Sequence, residues 1–410
     1  MDNIAGSPVE GANFYGREAD RDQLVETLEN DDVLLLGPRR IGKTSIARAV
    51  MAEVRRKGWN TVEVPVASCV SEAQFISRLN AALRPGMAGL GKKLGSAIRD
   101  GFKAVAGRVK GVKVGVPGTG GVGIELGTGE VADWTVAGAE LVALMAGSEG
   151  RWLVYIDELP IMLFNIIEKD AANGVQRVRR ILDWFRNDVR AADGTQHIHW
   201  LITGSVGLDT LVQQHGMADT INSLAHRSLP PFDAKVAAEM LMELAGRYQL
   251  PLLPADAGAM VAAIQWPQPY YLQMAFQHLR MLCAAKPHTA PGELIEEAID
   301  CMWQPDSDND FHHWESRLDL QLGPQLGGQA LALLKLSARD PLGASPALLM
   351  LTLGQRMPNS SDEELEQRFI QLRTVLLRDA YWWQDESSGQ RRYRVRLEPL
   401  RRWWAARSTV

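Results

Sequence analysis

Residues 32–47 read DVLLLGPRRIGKTSIA and contain the pattern G-x-x-x-x-G-K-[ST] from Gly37 to Thr44. The apolar residues Val33 to Leu36 predict a short buried strand before the pattern, and the run Ser45–Val54 predicts a helix after it. In that context the two glycines of the pattern let the backbone curl, so that its N–H groups face a phosphate at the positive end of the helix. The stretch therefore predicts a phosphate-binding loop.

A lysine and a hydroxyl carry the chemistry of this loop. Lys43 is placed to reach the β- and γ-phosphates of a nucleotide and is a candidate catalytic residue, while the Thr44 hydroxyl is a candidate ligand of Mg²⁺. The expected cofactors are therefore ATP and Mg²⁺. The nucleotide-binding candidates in the loop are Gly37, Pro38, Arg39, Arg40, Ile41, Gly42, Lys43, Thr44 and Ser45.

Composition sets broad limits on the class of protein. A length of 410 residues suits about two or three domains, and 46% apolar with 23% charged residues is ordinary for a globular protein. The three cysteines lie far apart and predict neither a disulfide framework nor a zinc site. Because the cysteines suggest no disulfides, a reducing, cytoplasmic location is expected. The sequence shows no leader-like start and no run of about 18 apolar residues, so neither a signal peptide nor an ordinary transmembrane helix is expected.

A second informative stretch is RWLVYIDE, residues 151–158. It predicts an apolar strand that ends in Asp157 and Glu158, about 110 residues after the loop lysine. Beside a phosphate-binding loop this pattern is typical of a Walker B motif. Asp157 would hold Mg²⁺, directly or through water, and Glu158 would polarise the attacking water.

Residues 14–18 read FYGRE and precede a helical pattern. F-x-G-R-E before a helix, followed by a loop of the type GPRRIGKTS, resembles the start of STAND-type and archaeal-type AAA+ ATPases. The resemblance implies that Gly16 and Arg17 lie over the nucleotide base. It implies the fold class α/β, a P-loop NTPase parallel sheet (AAA+/STAND-like) with a helical lid and a C-terminal winged-helix domain.

Two segments beyond the Asp-Glu strand extend this resemblance. Residues 199–205, HWLITGS, resemble the sensor strand, in which Ser205 (or Thr203) would sense the γ-phosphate. Residues 225–232, AHRSLPPF, resemble the segment where these families leave the sheet. There Arg227 matches a recurrent arginine, which implies a nucleotide sensor or arginine finger; a surface salt bridge is the alternative.

A third segment, WPQPYYL at residues 266–272, resembles the G-x-P-x-x-L element of STAND proteins. The proline of that element abuts the nucleotide, which assigns the contact to Pro269. The sequence departs from the pattern, because Trp266 or Pro267 stands where the family has glycine.

Three domains are predicted. Residues 1–232 would form the P-loop ATPase domain, residues 233–303 a helical lid, and residues 304–410 a linker followed by the winged-helix domain. The first contains a basic, glycine-rich insert at residues 86–130. Its segment 92–113 either contacts an anionic membrane or nucleic acid, or packs an apolar helical stripe on its own domain, and we favour packing.

The last domain has a winged-helix rhythm of three helices and two strands. These elements are expected at Gln329–Ala338, Ser345–Gly354, Ser361–Asp379, Ala380–Gln384 and Arg391–Leu397. Strand alternation places Arg392, Arg394 and Arg396 on one face, with Tyr393 and Val395 turned towards the core. Four acids open the third helix and would repel a DNA backbone, so a protein contact is favoured over DNA.

The leading interpretation is an ATP-binding and hydrolysing molecular switch that couples nucleotide state to a winged-helix interaction domain. Its expected partners are ATP and either a protein partner or a second copy of the chain. The alternatives are a nucleotide-regulated DNA-binding protein and a membrane-surface ATPase that uses the basic segment 92–113. A small-molecule kinase is least favoured, because no acceptor pocket is evident.

Overall fold

The computed structural model of the chain describes residues 1–87, 134–205, 207–304, 309–387 and 389–407. The chain divides into two compact units. The sheet unit comprises residues 18–36 and 46–228, and the helical unit comprises residues 1–17, 37–45 and 229–410. Most of the predicted basic insert, including its predicted hairpin, lies outside the described residues. Among the described residues no helix is both long and apolar enough to cross a membrane.

The sheet unit is built on five strands in the order β2-β3-β4-β1-β5. They are β1 (Val33–Gly37), β2 (Asn60–Pro65), β3 (Trp152–Asp157), β4 (Ile198–Ser205) and β5 (Ala225–Ser228). The pairs β1–β5, β2–β3 and β3–β4 are parallel. Continuous apolar strands such as β1 and β3 are buried because helices cover both faces of a parallel sheet. The predicted α/β fold class is confirmed.

Helices connect these strands. They are α1 (Glu18–Leu28), α2 (Lys43–Arg56), α3 (Glu72–Met87), α4 (Trp134–Ala146), α5 (Leu159–Lys169), α6 (Gly174–Trp184) and α7 (Leu208–Gln214). A π-helical turn, Phe185–Arg190, continues α6. The carboxylate of Asp32, just before β1, forms an ion pair with Arg190 and accepts a hydrogen bond from the Trp200 backbone N–H at 2.8 Å. Asp32 thereby fixes the start of β1 against β4.

The helical unit contains the predicted lid and tail elements. They are α8 (Ala234–Arg247), α9 (Pro254–Ile264), α10 (Pro269–Ala285), α11 (Ile295–Cys301), α12 (Asn309–Ala338), α13 (Pro346–Arg356), α14 (Asp362–Arg378), β6 (Trp382–Asp385), β7 (Arg392–Val395) and α15 (Glu398–Arg407). The strands β6 and β7 form an antiparallel hairpin. Helix α14 starts with a capping box: Glu364 N–H donates to Ser361 Oγ, and Ser361 N–H donates to Glu364 Oε2 at 2.8 Å.

One hydrophobic core extends through the helical unit from Phe232 to Trp404. At its centre the Trp314 Nε1–H donates to the Tyr271 hydroxyl at 2.9 Å, and the Tyr381 hydroxyl donates to the Trp314 carbonyl at 2.9 Å. Lid and tail helices therefore share one core. The predicted domain boundaries stay predictions.

Candidate nucleotide-binding site

The phosphate-binding loop runs from Gly37, the last residue of β1, to the start of α2 at Lys43. Its backbone turns through two left-handed residues, Arg40 at φ 73° and Gly42 at φ 103°. An L side chain rarely adopts the latter angle, so glycine is required at position 42. The loop therefore has the curled backbone that the pattern predicts.

Lys43 lies almost fully buried at the centre of this loop, with 6% of its surface exposed. Its ammonium group donates to the Gly37 carbonyl at 2.9 Å and to the Pro38 carbonyl at 3.2 Å. A buried ammonium group gains strongly from an anion, because a bond between two opposite charges is stronger than a bond to a neutral carbonyl. The loop thus presents a positive charge suited to phosphate.

The remaining polar loop residues differ in their surroundings. Thr44 is half-buried at the start of α2, and Ser45 Oγ accepts a hydrogen bond from the Val9 N–H at 3.0 Å. Arg39 is exposed. The Arg40 guanidinium lies 4.1 Å from the centroid of the Tyr270 ring, and its Nη1 donates to the Gly6 carbonyl at 3.2 Å.

A mainly apolar pocket adjoins the loop within the helical unit. Its lining residues are Met1, Val9, Asn13, Phe14, Tyr15, Arg17, Ile41, Gly42, Ser45, Phe232, Met240, Pro269 and Gln273. Apolar walls with a few oriented polar groups are typical of a site for a flat heterocycle such as a nucleotide base. The loop residues Ile41 and Gly42 form part of its wall, and so does Pro269.

Gly16 and Arg17 both pack against the start of α8 or the segment that precedes it. A Cβ at Gly16, where φ is 66°, would lie 2.6 Å from Val236 Cγ1, so only glycine fits. The Arg17 guanidinium donates to the Pro230 carbonyl at 2.5 Å and lies 4.7 Å from the centroid of the Phe232 ring. Arg17 lines the pocket and also holds Phe232, another of its walls.

In the sheet unit, β3 ends at Asp157. The carboxylate oxygen Oδ1 of Asp157 accepts hydrogen bonds from the Tyr155 hydroxyl at 2.6 Å and from the Thr203 hydroxyl at 2.7 Å. Its other oxygen, Oδ2, has no hydrogen-bond partner among the described residues. Two donors on one oxygen fix the carboxylate in orientation and leave the second oxygen available to a cation. Such a carboxylate fits Mg²⁺, which binds proteins through one or two oxygen ligands and completes its shell with phosphates and water.

Glu158 follows in a left-handed backbone conformation, with φ 59° and ψ 44°. This conformation costs a residue with a Cβ about 1 kcal/mol or more, and glycine or asparagine would adopt it more readily. Glu158 therefore does not stabilise the backbone conformation at this position. Residual strain of this kind is common at functional sites.

The sensor strand is β4. Thr203 on this strand is fully buried and bonds to Asp157, whereas the side chain of Ser205 lies outside the described part of the chain. A Cβ at Gly204 would lie 2.4 Å from Pro160 Cγ, which explains the glycine after Thr203. Tyr155 went unnoticed in the sequence, although its place two residues before Asp157 puts both side chains on one face of β3.

Arg227 lies exposed on the edge strand β5. Its guanidinium donates to the Thr27 hydroxyl and to the His226 carbonyl, each at 3.3 Å. Within the described residues, the Arg227 side chain makes no hydrogen bond or ion pair with Asp157 or Glu158. Its suggested roles as nucleotide sensor or arginine finger stay predictions.

No protein-family model matches this sequence. No curated protein sequence matches it either. The structure is similar to the Walker-type ATPase PABY2304 of Pyrococcus abyssi, with a TM-score of 0.62 and 15% identity over 98% of this chain and 99% of that chain. The similarity at this identity shows the fold alone. The chain thus has the fold of a Walker-type P-loop ATPase.

Two further likenesses are weaker. The ADP form of the Aeropyrum pernix ORC2 protein gives a TM-score of 0.48 at 15% identity over 98% of each chain. The RuvB Holliday junction branch migration motor of Thermotoga maritima gives 0.41 at 12% identity over 94% of this chain and 95% of that chain.

Proposed function

We propose that this chain is a Mg²⁺-dependent ATPase of the AAA+/STAND type that works as a molecular switch. The observation that carries the proposal is Lys43, which is buried inside a glycine-turned loop that follows β1 and donates there to the Gly37 and Pro38 carbonyls. A buried cation in such a loop is suited to a triphosphate. The apolar pocket beside the loop supplies a place for the base.

The strand topology supports a hydrolytic role. Strands β1 and β3 belong to one parallel sheet, so their carboxyl ends, with Asp157 at the end of β3, lie at the same edge of the sheet. On this proposal Thr44 and Asp157 hold Mg²⁺, which would supply charge neutralisation at the phosphates. Glu158 orients and polarises the attacking water, and the strained backbone at Glu158 supports that role.

The tail is proposed to be a winged-helix module that contacts protein. On α13 the exposed side chains Leu348 and Leu351 lie one helical turn apart, with 44% and 61% of their surfaces exposed. The nearby helix α14 begins with exposed Asp362, Glu363 and Glu364. An exposed apolar face beside acids suits a protein partner or a second copy of the chain better than DNA.

DNA binding through the hairpin is the second candidate, and the bonding of its arginines weighs against it. Arg392 bonds to Asp340 at 2.8 Å, and Arg394 bonds to Asp385 at 2.9 Å. Salt-dependent binding of duplex DNA by the parent protein would restore this candidate. The membrane alternative depends on residues 92–113, which lie outside the described residues.

The first experiment tests nucleotide binding. Titration calorimetry with ATP and Mg²⁺ should give saturable binding, and Lys43→Ala should weaken it by about a hundredfold, because two charge-assisted phosphate contacts are lost. Lys235→Ala, which removes an exposed lysine from α8, is the matched control and should bind like the parent. Equal affinities of the parent and Lys43→Ala would refute the assignment of the loop.

A further inference from the structure

The first nine residues of the chain, which we call the strap, lie along the base pocket without forming a helix or strand. Four of their backbone N–H groups donate to side-chain oxygens of the helical unit. The donor–acceptor pairs are Asp2 to Asn13 Oδ1 at 2.7 Å, Asn3 to the Tyr248 hydroxyl at 3.0 Å, Ile4 to Gln273 Oε1 at 2.6 Å and Val9 to Ser45 Oγ at 3.0 Å. The strap is thus held by main-chain donors.

These contacts decide which way two amide side chains point. A backbone N–H is a donor only, so the amide atom that faces Asp2 in Asn13, and Ile4 in Gln273, has to be the oxygen. The amide nitrogens Nδ2 of Asn13 and Nε2 of Gln273 are then directed away from the strap. Neither nitrogen has a hydrogen-bond acceptor among the described residues, and both residues line the pocket.

Only 5% of the surface of Gln273 is exposed, and its Nε2 is not enclosed by protein, so a ligand that enters the pocket can reach this nitrogen and accept its hydrogen bond. The surrounding walls include the rings of Phe14, Tyr15 and Phe232. Aromatic and apolar walls bind a flat ring, and amide N–H groups at its edge require ring nitrogens or carbonyl oxygens as acceptors. A purine base provides both properties, because its ring nitrogens are exposed acceptors.

We propose that Asn13 and Gln273 are specificity-determining residues, which bind the purine base of the nucleotide through their amide N–H groups, and that the strap holds both amides in the required orientation. The proposal rests on the proposed nucleotide site and adds to it the residues that read the base. The strap also reaches the phosphate-binding loop, since the Gly6 carbonyl accepts from Arg40.

The test compares ATP with inorganic tripolyphosphate, which has the phosphates but no base. Gln273→Glu keeps the acceptor for Ile4 and loses the N–H donors, and Gln273→Met removes both without adding charge. Each variant should weaken ATP binding by about threefold to tenfold, the effect of one hydrogen bond, relative to tripolyphosphate. Asn13→Asp should act in the same direction.

A matched pair of variants isolates the strap. Ile4→Pro removes the N–H that orients Gln273, whereas Ile4→Ala shortens the side chain and keeps that N–H. We expect Ile4→Pro to lower ATP affinity relative to tripolyphosphate as the Gln273 variants do, and Ile4→Ala to retain it. Thermal melting of each variant checks that the fold persists.

The outcomes separate the two proposals. If the parent binds neither ATP nor tripolyphosphate, the nucleotide site itself is wrong, and the base-reading inference falls with it. If the parent binds both ligands and the Gln273 variants keep the parent's affinity ratio, only the base-reading inference is overturned. If Ile4→Pro and Ile4→Ala have the same ratio of ATP affinity to tripolyphosphate affinity, the strap has no role in recognising the base.

Discussion

The candidate nucleotide site and the β6–β7 hairpin both concentrate charged side chains, but they bond them differently. In the hairpin each arginine has its partner within the same unit. The pairs are Arg391 with Glu386 at 3.0 Å, Arg392 with Asp340 at 2.8 Å, Arg394 with Asp385 at 2.9 Å and Arg396 with the Trp382 carbonyl at 2.9 Å. Such arginines are committed to holding the hairpin on its own helices.

At the candidate nucleotide site, polar side chains are held in place by one atom and keep a second atom available to a ligand. Asp157 uses Oδ1 for two hydroxyl donors and has no partner at Oδ2 among the described residues, and Gln273 uses its oxygen and not its nitrogen. The contrast shows that charge density in a sequence is a poor guide to binding. An oriented polar group with an unused donor or acceptor is the better guide, because a ligand can satisfy it without breaking an existing bond.

The largest change at the site is expected from Glu158→Gln. The amide keeps the size of the side chain and removes the base that polarises water, so turnover should fall by about a hundredfold while ATP binding persists. Phosphate-release kinetics together with calorimetry would measure both quantities. Glu168→Gln, an exposed change on α5, is the control.

Unchanged turnover in Glu158→Gln would exclude this residue from the reaction. The strained backbone at position 158 would then have no functional explanation, and the contrast between the nucleotide site and the β6–β7 hairpin would be weaker. A loss of ATP binding equal to the loss of turnover would instead indicate a binding role.

A smaller effect is expected when the orientation of Asp157 is disturbed. Thr203→Val preserves shape and removes one of the two hydroxyl donors to Oδ1. Groups that orient a metal ligand typically change metal affinity by about tenfold or more, so the Mg²⁺ concentration for half-maximal turnover should rise by about tenfold. Thr220→Val removes another buried hydroxyl, bonded to the Met217 carbonyl, and should leave the Mg²⁺ dependence unchanged.

If both threonine variants shift the Mg²⁺ requirement equally, the effect is one of stability, and Thr203 has no special role. A shift confined to Thr203→Val would sharpen the contrast between oriented site groups and ordinary buried hydroxyls.

Much of the fold is predictable from the sequence, because local patterns determine it. The run Val33–Leu36, the loop pattern and the apolar stretch ending at Asp157 each carry their own signal, and β1, α2 and β3 lie where these predict. The alternation of Tyr393 and Val395 likewise predicts their burial, which is confirmed.

Other features depend on distant contacts and have little local signal. Strand β5 reads AHRS and is largely exposed at the sheet edge, so no apolar pattern marks it. The break inside α12 at Gly323, where φ is 74°, joins two helical segments that the sequence separates only by Gly-Pro. Within the site, the strap contacts involve main-chain donors, which every residue except proline carries, so the sequence of residues 1–9 does not reveal them.

The sequence also does not predict which residues bond to the hairpin arginines. Alternation predicts that Arg392, Arg394 and Arg396 share a face, but it does not say what that face meets. Asp340 comes from the turn after α12, some fifty residues earlier than its partner Arg392. The DNA-binding hypothesis for the hairpin depended on these side chains being available.

The smallest expected effect concerns the hairpin and its pH dependence. The Ser387 backbone N–H at 2.9 Å, followed by the Arg394 guanidinium, lowers the pKa of Asp385 from 3.8 to about 2. Because the folded pKa lies below the unfolded one, the stabilisation is complete above pH 3.8 and is lost as the pH falls towards 2. The melting temperature of the parent should therefore decrease by a few degrees more over this range than that of Asp385→Asn, which cannot titrate.

The same measurement, made on Arg394→Gln, tests the structural role of the arginines. This variant removes one of the causes of the lowered pKa of Asp385, so its melting temperature should depend less on pH between 4 and 2 than that of the parent, though more than that of Asp385→Asn, because the Ser387 N–H remains. Glu366→Gln, an exposed change on α14, should keep the parent's slope. ATP affinity at neutral pH should be the same in all four proteins. If Arg394→Gln instead melts like the parent at every pH and loses ATP affinity, the hairpin arginines act on the nucleotide site, and the distinction between committed and available charges fails.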